Sequence, residues 1–140
     1  MIAIDTNVLL RYLLADDTRQ HRLARRVIEA GAPILLTDVV IAEALWTLAG
    51  KRYSLSKPEL CKVIRALVED LSFVFEDSQV IWVALNDYEN ARPVRGKTLD
   101  FSDALILNKA KRFSEIQSTS FDGFYTFDLA ARVLPGSRSP

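Results

Sequence analysis

Four carboxylate side chains in this sequence stand where they can do chemistry. Asp5 directly follows a short apolar run at the start of the chain, and Asp128 follows an aromatic run near its end. Glu43 is the only charged residue within a long apolar segment, and Asp103 lies in the first turn of a predicted helix. Because an unpaired charge in apolar surroundings is costly, a carboxylate retained at such a position needs a proton, a partner or a cation.

If these acids lie close together in the fold, they favour the binding of a divalent cation. Two carboxylates about 4 Å apart repel by roughly 4 kcal/mol at an effective dielectric constant near 20. The chain has one cysteine and one histidine, so the ligands would all be oxygen atoms, which favours Mg²⁺ or Mn²⁺. A cation held in this way suits the hydrolysis of phosphodiester bonds, because it activates water and stabilises developing charge.

Two of these acids, Asp5 and Asp103, and a fifth acid, Asp100, also have a purely structural interpretation. Asp is a favoured N-cap residue, and Asp5 stands where a helix is expected to begin. Asp100 and Asp103 have the spacing of a capping box, but one helical turn also places them where they can share a cation. Small polar neighbours can orient the acids by hydrogen bonds, and the candidates for this role are Thr6, Asn7, Ser102 and Thr126.

The elements that must position these acids alternate along the chain. Short apolar runs at residues 1–4, 34–36, 73–75 and 123–127 predict strands, and the segments between them predict helices. This alternation predicts an α/β fold with a central, mostly parallel sheet that helices cover on both faces. The acids follow strand ends or open helices, so we expect them to converge at one end of the sheet.

Two segments carry expectations of their own. The helix around Glu43 is apolar nearly all round, so we expect it to be buried nearly all round. Residues 114–121 fit either a strand near Ile116 or an irregular loop. The chain is long enough for one well-packed core, and we expect a single domain over residues 1–135 with a frayed tail at 136–140.

Composition restricts the function classes. The chain has 18 basic and 18 acidic residues, so a surface that binds nucleic acid must be local; candidates are Arg11, a helix with Arg22 and Arg26, and the loop 92–97. The single cysteine excludes an intramolecular disulfide. No apolar run approaches the roughly 20 residues of a membrane span, and we expect a cytoplasmic protein. The glycine-rich loops GxxxxGK[ST] and GxGxxG are absent.

Taken together, the sequence resembles the PIN-domain ribonucleases, and specifically the VapC-type toxins. The resemblance covers essentially the whole chain and rests on four segments in family order, residues 5–11, 43–45, 100–106 and 126–128. It implies a three-layer α/β/α PIN-like domain and a divalent-metal-dependent endoribonuclease of a toxin–antitoxin system. It also implies Mg²⁺ or Mn²⁺ as cofactor, RNA as substrate, a VapB-type antitoxin as partner and a homodimer. The implied catalytic and metal-binding quartet is Asp5, Glu43, Asp103 and Asp128, with Asp100 as an adjacent acid.

Two other functions fit parts of the pattern. A catalytically silent PIN-like module would use the same pocket only to bind RNA or a protein, although such a module has little reason to keep four mutually repelling carboxylates. A phosphatase of the haloacid dehalogenase type also begins with an acid after its first strand. That chemistry requires a second acid two residues later, where this chain has Asn7.

Overall fold

The computed structural model describes all 140 residues, which form two compact units, Met1–Ser78 and Gln79–Pro140. The first unit contains β1 (Ile2–Ala3), α1 (Thr6–Leu14), α2 (Thr18–Ile28), β2 (Ile34–Leu36), α3 (Asp38–Ala49), α4 (Lys57–Glu69) and β3 (Phe73–Phe75). From the unit boundary onward the chain forms α5 (Ser78–Asn90), α6 (Phe101–Ile116), β4 (Phe124–Tyr125), a 3₁₀ helix (Ala131–Val133) and β5 (Ser137–Arg138). The single domain over residues 1–135 stays a prediction.

The first unit is built on a three-stranded sheet in the order β1-β2-β3, and both pairings are parallel. Ile34 of the central strand pairs with Ile2 on one side and with Phe73 on the other. Parallel neighbours require crossover connections, which α1 to α4 supply. Ile34 and Leu36 are completely buried, as expected for a central strand with both faces covered. The strands predicted at residues 34–36 and 73–75 are confirmed.

The helices of the first unit begin where the sequence offers a capping side chain. Asp5 and Thr37, which follow β1 and β2, cap α1 and α3 by accepting a backbone hydrogen bond from the first helical turn. Asp17 does the same for α2. Ser56 and Glu59 form a complete capping box at the start of α4. Because these contacts are local, the helix starts follow directly from the sequence.

The expectation that α3 is buried nearly all round is wrong. Val39, Glu43 and Trp46 follow one another at spacings of four and three residues and form an exposed stripe, with Val39 65% and Trp46 73% accessible. The opposite face is buried, and the helix packs against α1 and α4. An apolar composition on every face cannot indicate which face the neighbouring elements cover, and here they cover only one.

In the second unit, α5 and α6 are joined by an aromatic and a polar contact. Tyr88 and Phe101 meet edge to face, with ring centroids 5.7 Å apart. Asn108, the one buried polar residue in the chain, donates from Nδ2 to the carboxylate of Asp87 at 2.8 Å and to the carbonyl of Ala104 at 2.9 Å. The buried amide therefore fixes how the two helices lie against each other.

The end of the chain differs from expectation in two places. Residues 114–116 continue α6, and the helix ends in a turn in which Ser118 has a φ of 52°, so neither a strand nor an irregular loop describes the first part of this segment. Residues 136–140 are not simply frayed, because Ser137–Arg138 pairs in parallel with Phe124–Tyr125. The predicted strand at 123–127 is accordingly shorter and belongs to a separate two-stranded sheet.

None of the helices combines the length and apolar character needed to cross a membrane.

Candidate active site

Asp5 has one carboxylate oxygen engaged in the fold and one available. It stands between β1 and α1, where Oδ1 accepts a hydrogen bond from the backbone N–H of Val8 at 2.9 Å. The residue is exposed, and Oδ2 makes no hydrogen bond. The capping and the ligand interpretations of Asp5 are therefore compatible, since each uses a different oxygen.

Glu43 is oriented by the residue next to Asp5. The hydroxyl of Thr6 donates to Oε2 of Glu43 at 2.6 Å, a length typical of a hydrogen bond to a charged acceptor. Thr6 is the first residue of α1 and Glu43 lies in the middle of α3, so this bond connects the two helices. It holds the Glu43 carboxylate at the end of β1 where Asp5 also lies.

In the second unit, Asp100 and Asp103 have the spacing of a capping box but do not form one. Asp100 occupies the N-cap position of α6, but its side chain makes no capping hydrogen bond. Asp103 is half-buried in the first turn of the same helix. The pKa of Asp103 is raised, first by burial and then by the nearby carboxylates of Asp100 and Asp128, while the ammonium of Lys97 acts in the opposite direction. Both acids thus keep carboxylates that the helix start does not use.

Asp128 is held in place from three sides. Its Oδ1 accepts from the backbone N–H of Ala130 at 2.8 Å, and its own backbone N–H donates to the hydroxyl of Thr126 at 3.0 Å. Its Oδ2 lies 3.0 Å from Nζ of Lys97. The hydrogen bond from Lys97 is the main reason why the pKa of Asp128 is lowered.

The four candidate supporting residues differ in what they do. Thr6 contacts a carboxylate directly, whereas Thr126 fixes the backbone of Asp128. Asn7 and Ser102 make no side-chain hydrogen bond to any of the acids. Asn7 instead lines a groove of about 290 Å³ between α1 and α2, together with Asp5.

Sequence reasoning missed the contact between Lys97 and Asp128. The loop 92–97 was predicted only as a candidate RNA-binding surface. Its position directly before the acidic segment 100–103 was the one signal in the sequence that its basic residues could neutralise an acid. Nothing in the sequence indicates that Asp128, about thirty residues later in the chain, is the acid concerned.

The donor chemistry of both units fits a hard divalent cation. All candidate ligands are carboxylate oxygens, which Mg²⁺ and Mn²⁺ prefer. The raised pKa of Asp103 and the ion pair at Asp128 show that the acids of the second unit lie where positive charge is favoured. Neither unit alone gathers three acidic, histidine or cysteine side chains into a metal-binding group. That all four acids converge at one end of the sheet stays a prediction.

A three-stranded parallel sheet whose strands alternate with helices defines an α/β protein, and Asp5 directly follows the first of these strands. The profile of the PIN domain matches residues 2–128, and the chain therefore belongs to the PIN domain family. No curated protein matches the chain significantly. The predicted three-layer α/β/α fold class with a mostly parallel sheet is thereby confirmed. PIN domains are generally nucleases and usually use divalent metals, so the family also supports the predicted nuclease and hydrolase class.

Proposed function

We propose that this protein is a divalent-metal-dependent endoribonuclease, and specifically a VapC-type toxin of a toxin–antitoxin pair. The observation that carries the proposal is the 2.6 Å hydrogen bond by which Thr6 orients Glu43 next to Asp5. A solvent-exposed glutamate on a helix has no structural need for a fixed orientation. A metal ligand does, because such ligands are generally held by hydrogen bonds from surrounding side chains.

The residues that would hold Mg²⁺ or Mn²⁺ are Asp5, Glu43, Asp103 and Asp128, with Asp100 as an adjacent acid. Bound to them, a divalent cation supplies an activated water and stabilises the charge that develops when a phosphodiester bond is hydrolysed. The chain's own contribution is to preorganise the ligands. Thr6 orients Glu43, the backbone N–H of Ala130 orients the carboxylate of Asp128, and the hydroxyl of Thr126 holds the backbone of Asp128.

Two isosteric variants test this proposal, Asp5→Asn and Asp103→Asn, assayed for Mg²⁺-dependent cleavage of a panel of structured RNAs. Each should lower cleavage at least about a hundredfold, because the charge stabilisation that a bound metal provides is worth several kcal/mol. Glu69→Gln, which alters an exposed acid at the end of α4, is the control and should cleave like the unmodified protein. Undiminished cleavage by either Asn variant contradicts the proposal.

The alternative function is a catalytically silent PIN-like module that binds RNA or a protein. The observation that favours it is the ion pair between Lys97 and Asp128, which neutralises one acid of the quartet without a metal. Calorimetric titration with Mn²⁺ separates the two functions. Heat that disappears in Asp5→Asn supports the nuclease, and an absence of heat in the unmodified protein supports the module.

A groove between α1 and α2 is the surface that we propose for a VapB-type antitoxin. Its lining includes the apolar side chains of Val8, Leu23 and Val27, of which Leu23 and Val27 are exposed, and the charged residues Asp5 and Arg11. A bound segment would bury the apolar side chains and cover Asp5. Coexpression with the product of a neighbouring reading frame should yield a complex with reduced ribonuclease activity, and Leu23→Asp should weaken that complex. A complex that keeps full activity contradicts this assignment.

We further propose that two copies of the chain form a homodimer. The support is a stripe of exposed apolar side chains on α6, where Ile106, Phe113 and Ile116 recur at helical spacing. Exposed apolar stripes of this kind mark interaction surfaces. Light scattering should give twice the chain mass, and Phe113→Asp should give the mass of one chain. A monomeric unmodified protein contradicts the dimer.

A further inference from the structure

Lys97 places a positive charge directly on one acid of the candidate site. Its Nζ lies 3.0 Å from Oδ2 of Asp128, and the Lys97 side chain is 61% exposed whereas that of Asp128 is 23% exposed. The ammonium therefore covers the solvent side of a carboxylate whose other oxygen is already bound to the backbone of Ala130. A cation that binds Asp128 at the lone pair of Oδ2 that faces Lys97 takes the place of the ammonium.

The backbone around Lys97 is a tight, well-defined turn. Val94 and Lys97 exchange two backbone hydrogen bonds of 2.9 Å each, and the two residues between them, Arg95 and Gly96, have φ values of 51° and 77°. Positive φ at both central positions is characteristic of the type I′ turn of a two-residue hairpin. The turn presents Lys97 toward Asp128 and leaves Arg95 at its tip, where the guanidinium has no partner.

Lys97 lies among acidic side chains of the second unit. Asp100, Asp103 and Asp128 lie close enough together that the pKa of Asp103 responds to both of the other carboxylates. Lys97 lowers the pKa of Asp103 through its charge and forms the ion pair with Asp128. Lys97 is therefore the counter-ion of Asp128, and its charge also reaches Asp103.

We propose that Lys97 exchanges partners during function: it neutralises Asp128 in the metal-free chain, yields Asp128 to a divalent cation, and then binds a phosphate of the RNA. The exchange is easy because ion pairs as exposed as this one are weak. A divalent cation carries twice the charge of the ammonium, and a lysine on a flexible stem is a suitable phosphate ligand. Lys97 is thus a substrate-binding residue, and the inference rests on the proposed metal-dependent function.

The test uses the full chain with Lys97→Met and, as matched control, Arg95→Met, which removes the same charge from the same turn without touching Asp128. Calorimetry without RNA measures the Mn²⁺ affinity, and initial rates measure KM for RNA. Without its competitor, Mn²⁺ should bind Lys97→Met about two- to fivefold more tightly than Arg95→Met, as expected for loss of an exposed ion pair. The KM of Lys97→Met for RNA should rise. The slope of log KM against log salt concentration should decrease by about 1, as expected for the loss of one phosphate contact.

A conservative variant completes the test, since Lys97→Arg keeps the charge and should bind Mn²⁺ with nearly the affinity of the unmodified chain. Mn²⁺ affinity in Lys97→Met that equals or falls below that of Arg95→Met overturns the proposal, as does an unchanged KM. Failure of the underlying function has a different signature. If Mn²⁺ binding does not depend on Asp103, as judged with Asp103→Asn, the metal site itself is wrongly assigned, whatever Lys97 does.

Discussion

Asp103 is the acid of the candidate site whose charge the surrounding protein disfavours most clearly. It is half-buried near the carboxylates of Asp100 and Asp128, and burial is the main cause of its raised pKa. Asp128, by contrast, has a lowered pKa because Lys97 donates to it. At the scale of single residues, the site therefore combines one acid that resists ionisation with one that is ionised readily. A carboxylate whose ionisation destabilises the fold can still be retained in a cation-binding site, because residues that serve function often lower stability.

This conflict predicts that Asp103→Asn stabilises the metal-free protein at neutral pH. The folded chain holds the Asp103 proton more tightly than the unfolded chain, so ionisation destabilises the fold once the pH exceeds the unfolded-state pKa of about 3.9. The destabilisation by ionised Asp103 reaches its full value above the pKa that Asp103 has in the folded chain. It is absent at a pH where Asp103 is protonated in both the folded and the unfolded chain. We expect the free energy of unfolding at pH 7 to increase by about 0.5–1 kcal/mol, a modest value because the site is partly solvated.

Urea unfolding of both proteins between pH 7 and pH 4 measures this effect. The difference in unfolding free energy should shrink as the pH is lowered, since protonation removes the charge that the Asn substitution removes permanently. A variant that is less stable than the unmodified chain at pH 7 would show that Asp103 has a stabilising partner in the metal-free fold.

At the scale of elements, Asp5 serves the start of α1 as well as the candidate site. Its Oδ1 caps the helix, and Asn is as good an N-cap residue as Asp, whereas Ala is a poor one. Asp5→Ala should therefore lower the free energy of unfolding by about 1 kcal/mol, while Asp5→Asn should leave it nearly unchanged. Both variants should lose cleavage, because both lack the carboxylate. Equal stability of the two variants in urea would show that the cap contributes little.

The α3 helix shows how far an element depends on its neighbours. Its start is defined locally by the Thr37 cap and its end by Gly50. Its exposed stripe of Val39, Glu43 and Trp46 depends instead on which face α1 and α4 cover. This packing leaves Glu43 accessible to solvent and within reach of the Thr6 hydroxyl. A fully buried helix would have offered Glu43 to neither water nor substrate.

At the scale of the whole molecule, charge is balanced overall but uneven locally. The chain has 18 basic and 18 acidic residues, yet α2 carries four arginines, of which only Arg25 is paired, with Glu29 at 2.8 Å. Arg19, Arg22 and Arg26 are exposed and have no acidic partner. A neutral protein can bind RNA through such a local surface, because phosphate contacts depend on nearby charges rather than on net charge.

The prediction at this scale concerns the dependence of RNA binding on salt. If Arg22 and Arg26 contact phosphates, Arg22→Gln and Arg26→Gln should each reduce the slope of log Kd against log salt concentration by about 1. Arg25→Gln removes an equal charge from the same helix, but its guanidinium is engaged by Glu29, so the slope should change less. Fluorescence anisotropy over a range of salt concentrations measures all three, and equal slopes for the three variants would argue against a specific phosphate-binding face.

Much of this molecule could be predicted from the amino-acid sequence because the relevant interactions are local. Apolar runs predicted the strands at residues 34–36 and 73–75, and Asp5 as a capping side chain predicted the start of α1. The motif spacing also led to the PIN domain family, which the profile match over residues 2–128 confirms. The strands and helix starts depend on residues within a few positions of each other. The family depends on the order of short motifs along the chain.

Other features depend on contacts between segments that are far apart in the sequence. The exposed face of α3, the free Asp100 side chain, the ion pair between Lys97 and Asp128, and the pairing of residues 137–138 with residues 124–125 belong to this group. No propensity or local spacing encodes them. They arise only when packing brings the segments together, because burial and the partner of a charge are properties of the folded neighbourhood rather than of the residue.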